Sequence, residues 1–124
     1  MLTIGNCHLF EICAIESELF TGINLNIKDT NDCIVGGIVG NTNTPHIAYI
    51  DHLWVDDAHR GALLGSRLLQ AFENRARTLC CEQVCVDTFD YQAPAFYEKN
   101  NYQLYQTIFD ELQRYKRLYY SKII

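Results

Sequence analysis

The hydrophobic positions of this chain change rhythm near its middle. From Ile23, apolar residues alternate with polar ones through Leu25 and Ile27, which is the two-residue period of a half-buried strand, and Asp29-Thr30-Asn31-Asp32 then supplies turn chemistry. A second strand is predicted over Cys33 to Val39 with Gly36-Gly37 inside it, then a turn over Asn41 to Pro45 and a third strand over Ile47 to Val55. Three consecutive strands on short turns read as an antiparallel meander. After Asp56-Asp57 the period lengthens: Leu64, Leu68, Phe72, Ala76 and Leu79 recur at three- and four-residue intervals, predicting a helix from Ala62 to Cys80. Val84 to Thr88 reads as the next strand, parallel to the one ending at Val55 if the helix between them is a crossover.

Gln92 to Asn100 reads as a shorter helix, with Pro94 in its first turn and Asn100-Asn101 suited to a left-handed end. Two final strands, Tyr102 to Phe109 and Arg117 to Ile123, flank the polar stretch from Asp110 to Lys116. The first twenty residues, with Leu2, Ile4, Leu9, Phe10, Ile12 and Ile15, fit either period. The expected class is α/β in the α+β sense: a mixed, mainly antiparallel sheet with a central parallel pair and helices packed on it.

Length and charge narrow this picture. At 124 residues, with no repeat and no Gly/Ser/Pro-rich linker, the chain is expected to form one domain over 1–124. No apolar run has the length of a membrane-spanning helix and no signal-like segment is present, so a soluble cytoplasmic protein is expected. The net charge of −5 argues against nucleic acid as partner and suits a cationic small molecule. Six cysteines without a secretory signal are expected to be reduced, and Cys80-Cys81 with Cys85 and no nearby His lacks metal-ligand spacing, so no metal is expected.

Candidate chemistry lies where the rhythm changes. In Arg60-Gly61-Ala62-Leu63-Leu64-Gly65-Ser66, a helix start would present unpaired backbone N–H groups and a partial positive charge to an anion, Arg60 would add a formal charge, and the glycines would allow close approach. Glycine near a helix start is common and by itself reads equally well as a turn. The wider segments are more specific. Asp51-His52-Leu53-Trp54-Val55-Asp56-Asp57-Ala58-His59-Arg60-Gly61, followed by Leu63 to Leu69, resembles the acetyl-CoA-binding motif of the GNAT superfamily of N-acetyltransferases, in which Arg or Gln is followed after two residues by Gly, then one residue, then Gly or Ala. Arg60 and Gly65 match its ends, and Leu63 replaces the usual middle glycine. Asp87 to Tyr102, containing Ala93-Pro94-Ala95-Phe96-Tyr97-Glu98-Lys99, resembles a second segment of that family, with Asn101 in place of a usual Gly and Asp90 in place of a frequent Asn.

The resemblance implies direct transfer of an acetyl group from acetyl-CoA to a primary amine of a small cationic molecule or a peptide. It implies that backbone groups of Leu53, Trp54 and Val55 hold the pantetheine and thioester, and that His59, Arg60, Gly61, Ala62, Leu63, Leu64, Gly65, Ser66 and Asp90 contact the cofactor. Tyr97 aligns with the tyrosine that protonates or hydrogen-bonds the CoA sulfur. For the general base Asp51 is favoured over His52: strand alternation sets Asp51 on the face of Tyr49, Leu53 and Val55 and His52 on the other, whereas an imidazole has the more suitable ordinary pKa. Members usually place one or two helices between the first two strands, and here only about fifteen residues are available, so a shortened helical front is expected. The acceptor groove is then either open or closed by a second subunit, which makes a homodimer the expectation. The alternative is a CoA-binding, oligomeric interaction module with little transferase activity.

Overall fold

The computed structural model describes residues 2–3, 11–14, 22–60, 63–112 and 114–124. Among the described residues, eight strands form one sheet in the order β1-β2-β3-β4-β5-β6-β8-β7. They are β1 Leu2–Thr3, β2 Glu11–Ala14, β3 Gly22–Lys28, β4 Ile34–Thr44, β5 Ile47–Val55, β6 Gln83–Phe89, β7 Gln103–Phe109 and β8 Lys116–Ile123. The described residues also form the helices α1 Leu64–Thr78 and α2 Pro94–Lys99 and a 3-10 turn over Asp57–His59. The meander of β3, β4 and β5 is antiparallel, and β5 and β6 are the parallel pair, as the crossover argument requires. The described front of the chain is strand, with β1 on β2 and β2 on β3. The turn expected at Asn41 to Pro45 is shorter than predicted, because β4 runs on to Thr44.

The core forms where α1 lies across β3, β4 and β5. Ile23, Leu25 and Ile27 send alternate side chains inward, and Leu64, Leu68, Leu69, Phe72 and Ala76 bury the facing stripe of α1. Burial of each such large side chain contributes about 1.5–3 kcal/mol. Close approach is possible because β4 carries glycine under the helix. A Cβ at Gly36 would stand 3.2 Å from Leu68 Cδ1, and one at Gly40 would stand 2.6 Å from Phe72 Cζ. The predicted start of α1 moves from Ala62 to Leu64, and its predicted end moves from Cys80 to Thr78, with Leu79 as C-cap and Cys80 left-handed at φ 67°. There the Cys81 and Cys80 N–H groups donate to the Ala76 and Arg77 carbonyls, the pattern a left-handed residue makes when it closes a helix.

Several ladders carry an extra residue, and two of these bear on the site. Across β4 and β5, Val39 pairs with His52 and Gly40 with Ile50, leaving Asp51 as a bulge. Across β7 and β8, Leu104 pairs with Tyr120 and Gln106 with Tyr119, leaving Tyr105 as another. The first bulge overturns the expected alternation. Directly paired residues share a face, so Leu53 and Val55, opposite Ile38 and Gly36, turn toward α1 and pack on the core, while Tyr49, His52 and Trp54 share the other face with Asn41, Val39 and Gly37. Asp51 thus keeps company with Tyr49, and not with Leu53 or Val55.

Candidate active site

The parallel ladder between β5 and β6 is short. It runs from Ile47 opposite Gln83 to Ile50 opposite Val86 and no further, although both strands continue. Beyond that pair the strands are unpaired with each other, so the polar edge of Leu53, Trp54 and Val55 opens onto a cleft of 360 Å³. The N-terminus of α1 and one side of α2 close the rest of it, through Leu63 to Ser66 and Ala93, Phe96, Tyr97 and Lys99.

The helix end is built to receive an anion. Leu63 caps α1 with no side-chain hydrogen bond, no acidic residue lies in the first turn, and the first helical bond is Arg67 N–H to the Leu63 carbonyl. The N–H groups of Leu64, Gly65 and Ser66 therefore have no partner within the helix ladder. Leu63 stands at φ 58°, in the left-handed region, at a cost of about 1–2 kcal/mol for a residue with a branched side chain. Its side chain is 59% exposed and forms a ridge between the cleft and a neighbouring polar cavity that holds Arg67, Lys99 and Lys122. Gly65 serves packing: a Cβ there would lie 3.2 Å from the Phe96 ring. Arg60 at the rim is exposed and meets Asp57 at 3.0 Å, an ion pair of little net strength that an incoming phosphate can displace. His59 lines the same rim with Nδ1 3.5 Å from an Asp56 carboxylate oxygen.

Tyr97 forms the inner wall. It is buried in an aromatic stack, 6.2 Å from Tyr120 and 5.8 Å from Tyr102 between ring centroids. Burial, and secondarily the Asp87 carboxylate, push its phenol up to about 12. It stays protonated at any physiological pH, in an environment that favours a hydrogen-bond donor. The turn after α2 fixes that geometry: Asn101 is left-handed at φ 71°, and the Tyr102 N–H donates to the Tyr97 carbonyl at 3.0 Å. Asn fills the place of a glycine, as its tolerance for this conformation allows. Tyr102 itself donates to Glu73 at 2.9 Å, and Lys122 reaches the same carboxylate at 3.0 Å, tying α1 to β8 below the cleft.

Most predicted cofactor residues converge here: Leu53, Trp54, Val55, His59, Arg60, Leu63, Leu64, Gly65 and Ser66 all line the cleft with Tyr97. Gly61 and Ala62 lie outside the described residues. Asp90 does not join them. It is the first residue past β6, exposed, with its N–H held by the Lys116 carbonyl at 2.9 Å, so the turn carries it toward β8 and away from the cleft. Asp51 is absent from this lining too: it stays with Tyr49 at a second cavity on the sheet's other face, while the bulge turns Leu53 and Val55 to the cleft side. Phe96 and Lys99 line the cleft without having been singled out, although both fall in the second motif; their spacing from Tyr97 on α2 was the available signal.

The profile of the acetyltransferase (GNAT) family matches residues 7–102. The chain belongs to that family. It is 44% identical over 78 residues to blasticidin-S acetyltransferase of Streptomyces morookaense, a match covering 62% of this chain and 57% of the relative. It thus spans a little over half the length of that curated relative. A crystal structure of an acetyltransferase from Bacillus cereus ATCC 14579 superposes with a TM-score of 0.77 at 29% identity, covering 89% of this chain and 80% of the other. An aminoglycoside 6'-N-acetyltransferase complexed with coenzyme A shares the fold at a TM-score of 0.75 and 17% identity, over 83% of this chain and 73% of that one. No helix among the described residues is long and apolar enough to cross a membrane.

Proposed function

We propose that this protein is an N-acetyltransferase that takes acetyl-CoA as cosubstrate and passes the acetyl group directly to a primary amine of a small cationic molecule or peptide. The single observation that carries this reading is the convergence, in one cleft, of an unpaired strand edge, an uncapped 15-residue helix start and a buried protonated tyrosine. The first suits the pantetheine amides, the second the pyrophosphate, the third the thioester sulfur. The names of the relatives, which act on blasticidin-S and on aminoglycosides, support a small-molecule acceptor.

In this reading the α1 N–H groups and Arg60 hold the pyrophosphate, and the strand edge from Leu53 to Val55 aligns the thioester. The amine attacks the thioester carbonyl carbon, a C–N bond forms, the C–S bond breaks, and the thiolate leaves toward Tyr97. Magnitudes decide what Tyr97 does. A phenol near 12 facing a thiol whose ordinary value is about 8.5 would have to give up its proton against about 5 kcal/mol. Tyr97 therefore stabilises the departing sulfur by hydrogen bonding, and the proton that the nitrogen sheds after attack passes to solvent and thence to the thiolate. A homodimer accompanies this reading, supported by the exposed apolar positions Leu104 and Ile108 on edge strand β7; cytoplasmic residence accompanies it as well.

The test is release of free CoA thiol from acetyl-CoA over a panel of primary amines, with thermal unfolding followed beside it. Turnover on at least one amine, and stabilisation by acetyl-CoA beyond that given by inorganic phosphate, are expected. Stabilisation by acetyl-CoA without turnover on any amine would favour a CoA-binding module in place of an enzyme.

A further inference from the structure

On the sheet face away from α1, a cavity of 400 Å³ is lined by Tyr49, Asp51, Cys85, Asp87, Tyr105 and Tyr119. Two of these side chains, Asp51 and Tyr105, are the extra residues of the two bulges described above, on strands β5 and β7. A bulge interrupts the ladder and re-aims a side chain, and here two separate interruptions deliver their residues to one cavity. The cavity also has a definite address. Tyr49 to Asp51 bracket Ile50, the last residue of β5 paired with β6, so it meets the divergence of those strands from the face opposite the cleft.

Its chemistry suits a cation. Asp87 is already matched, with Arg117 Nε at 2.7 Å. Asp51 is met by the neutral amide of Asn41 at 3.2 Å, a contact that leaves its charge in place. The rings of Tyr105 and Tyr119 stand 6.1 Å apart and tilted by 54°, and both line the cavity. The wall already shows how such a ring holds a cation, since the Arg117 guanidinium lies 5.7 Å from the Tyr119 centroid. An amine that is to attack a thioester must be uncharged, whereas a carboxylate among tyrosine rings holds a charged group. The two demands fall on different nitrogens.

We infer that this cavity binds a second, non-reacting cationic group of the acceptor, so that the preferred acceptors are small molecules carrying an ammonium or guanidinium besides the amine that is acetylated. Asp51 is the anchor of that group, and Tyr105 and Tyr119 flank it. The inference rests on the transferase reading above and names the acceptor class for that site.

The experiment compares α,ω-diaminoalkanes with the monoamines of the same chain length, in steady-state kinetics and in calorimetric binding with CoA present. The diamines are expected to have the lower KM by at least about tenfold, and Asp51→Asn is expected to raise the diamine KM toward the monoamine value. Tyr105→Ala, at an exposed position, is expected to raise the diamine KM as well. Equal KM values for the two classes would overturn the inference. So would an Asp51→Asn protein whose kcat falls alike on both classes while KM stays put, since Asp51 would then serve the reacting nitrogen. Should no amine turn over, the transferase reading fails separately and calorimetry decides: diamine binding weakened at least about tenfold by Asp51→Asn supports the inference, and unchanged or absent binding overturns it. Asp51→Asn is isosteric at an exposed site, so its thermal unfolding should match the parent's.

Discussion

The two cavities that meet the divergence of β5 and β6 are made in opposite ways. The cleft on the α1 side is built largely from main chain: a strand edge, a helix start and a left-handed residue at position 63. The cavity on the other face is built from side chains of five strands, aimed by two bulges. Main-chain recognition depends on where the chain goes and tolerates many residues, whereas side-chain recognition depends on which residue stands at each point. A common cosubstrate and a particular acceptor would place just these different demands on one protein.

Substitutions can break that contrast, and the largest effect is expected from the cleft side chain that meets the departing sulfur. Tyr97→Phe should lower kcat by roughly 10²-fold, as for loss of a donor aimed at developing charge, while calorimetry finds acetyl-CoA affinity within about twofold of the parent. An unchanged kcat would remove Tyr97 from the reaction. The same residue gives the next prediction. Its phenol is raised above the ordinary value by burial, so the folded state holds that proton more tightly than the unfolded chain; the resulting stability is complete below pH 10 and is lost as pH rises toward 12. Urea unfolding across that window should show the parent losing on the order of 3 kcal/mol more than Tyr97→Phe.

Smaller effects test the main-chain half. Leu63→Gly should raise stability by about 1 kcal/mol, the left-handed cost removed less the added freedom of glycine in the unfolded chain, read as a rise of a few degrees in Tm. Arg60→Ala should be the mildest, raising the KM for acetyl-CoA by about threefold at low ionic strength and less at high, because an exposed guanidinium is screened by salt.

The same contrast explains what was legible in the sequence. Periodicity located β3 and α1, because each buries one face and polar residues mark the other. The ends of α1 and β4 were misplaced by two to several residues: a leucine at 63 and a cysteine at 80 adopt backbone shapes usually marked by glycine, and β4 continues through polar residues. The cleft could be read because Arg60, Gly65 and Tyr97 keep fixed offsets along the chain. The second cavity could not. Tyr49, Asp87, Tyr105 and Tyr119 are far apart in sequence, and strict alternation assigns the wrong face to whatever follows a bulge, so Asp51 was grouped with Leu53 and Val55. Motif position alone assigns Asp90 to the cofactor, whereas its N–H is held by the Lys116 carbonyl and it does not line the cleft.

The bulge at position 51 also makes that point of β5 unusual toward changes of length. Because Asp51 has no partner of its own on β4, deleting it would leave Val39 opposite His52 and Gly40 opposite Ile50, and Leu53 and Val55 would still face α1 while Trp54 stayed outside. One missing codon there would thus empty the outer cavity of its carboxylate and leave the strand edge of the cleft in place. The position is a spare link in the strand, one that the ladder itself does not require.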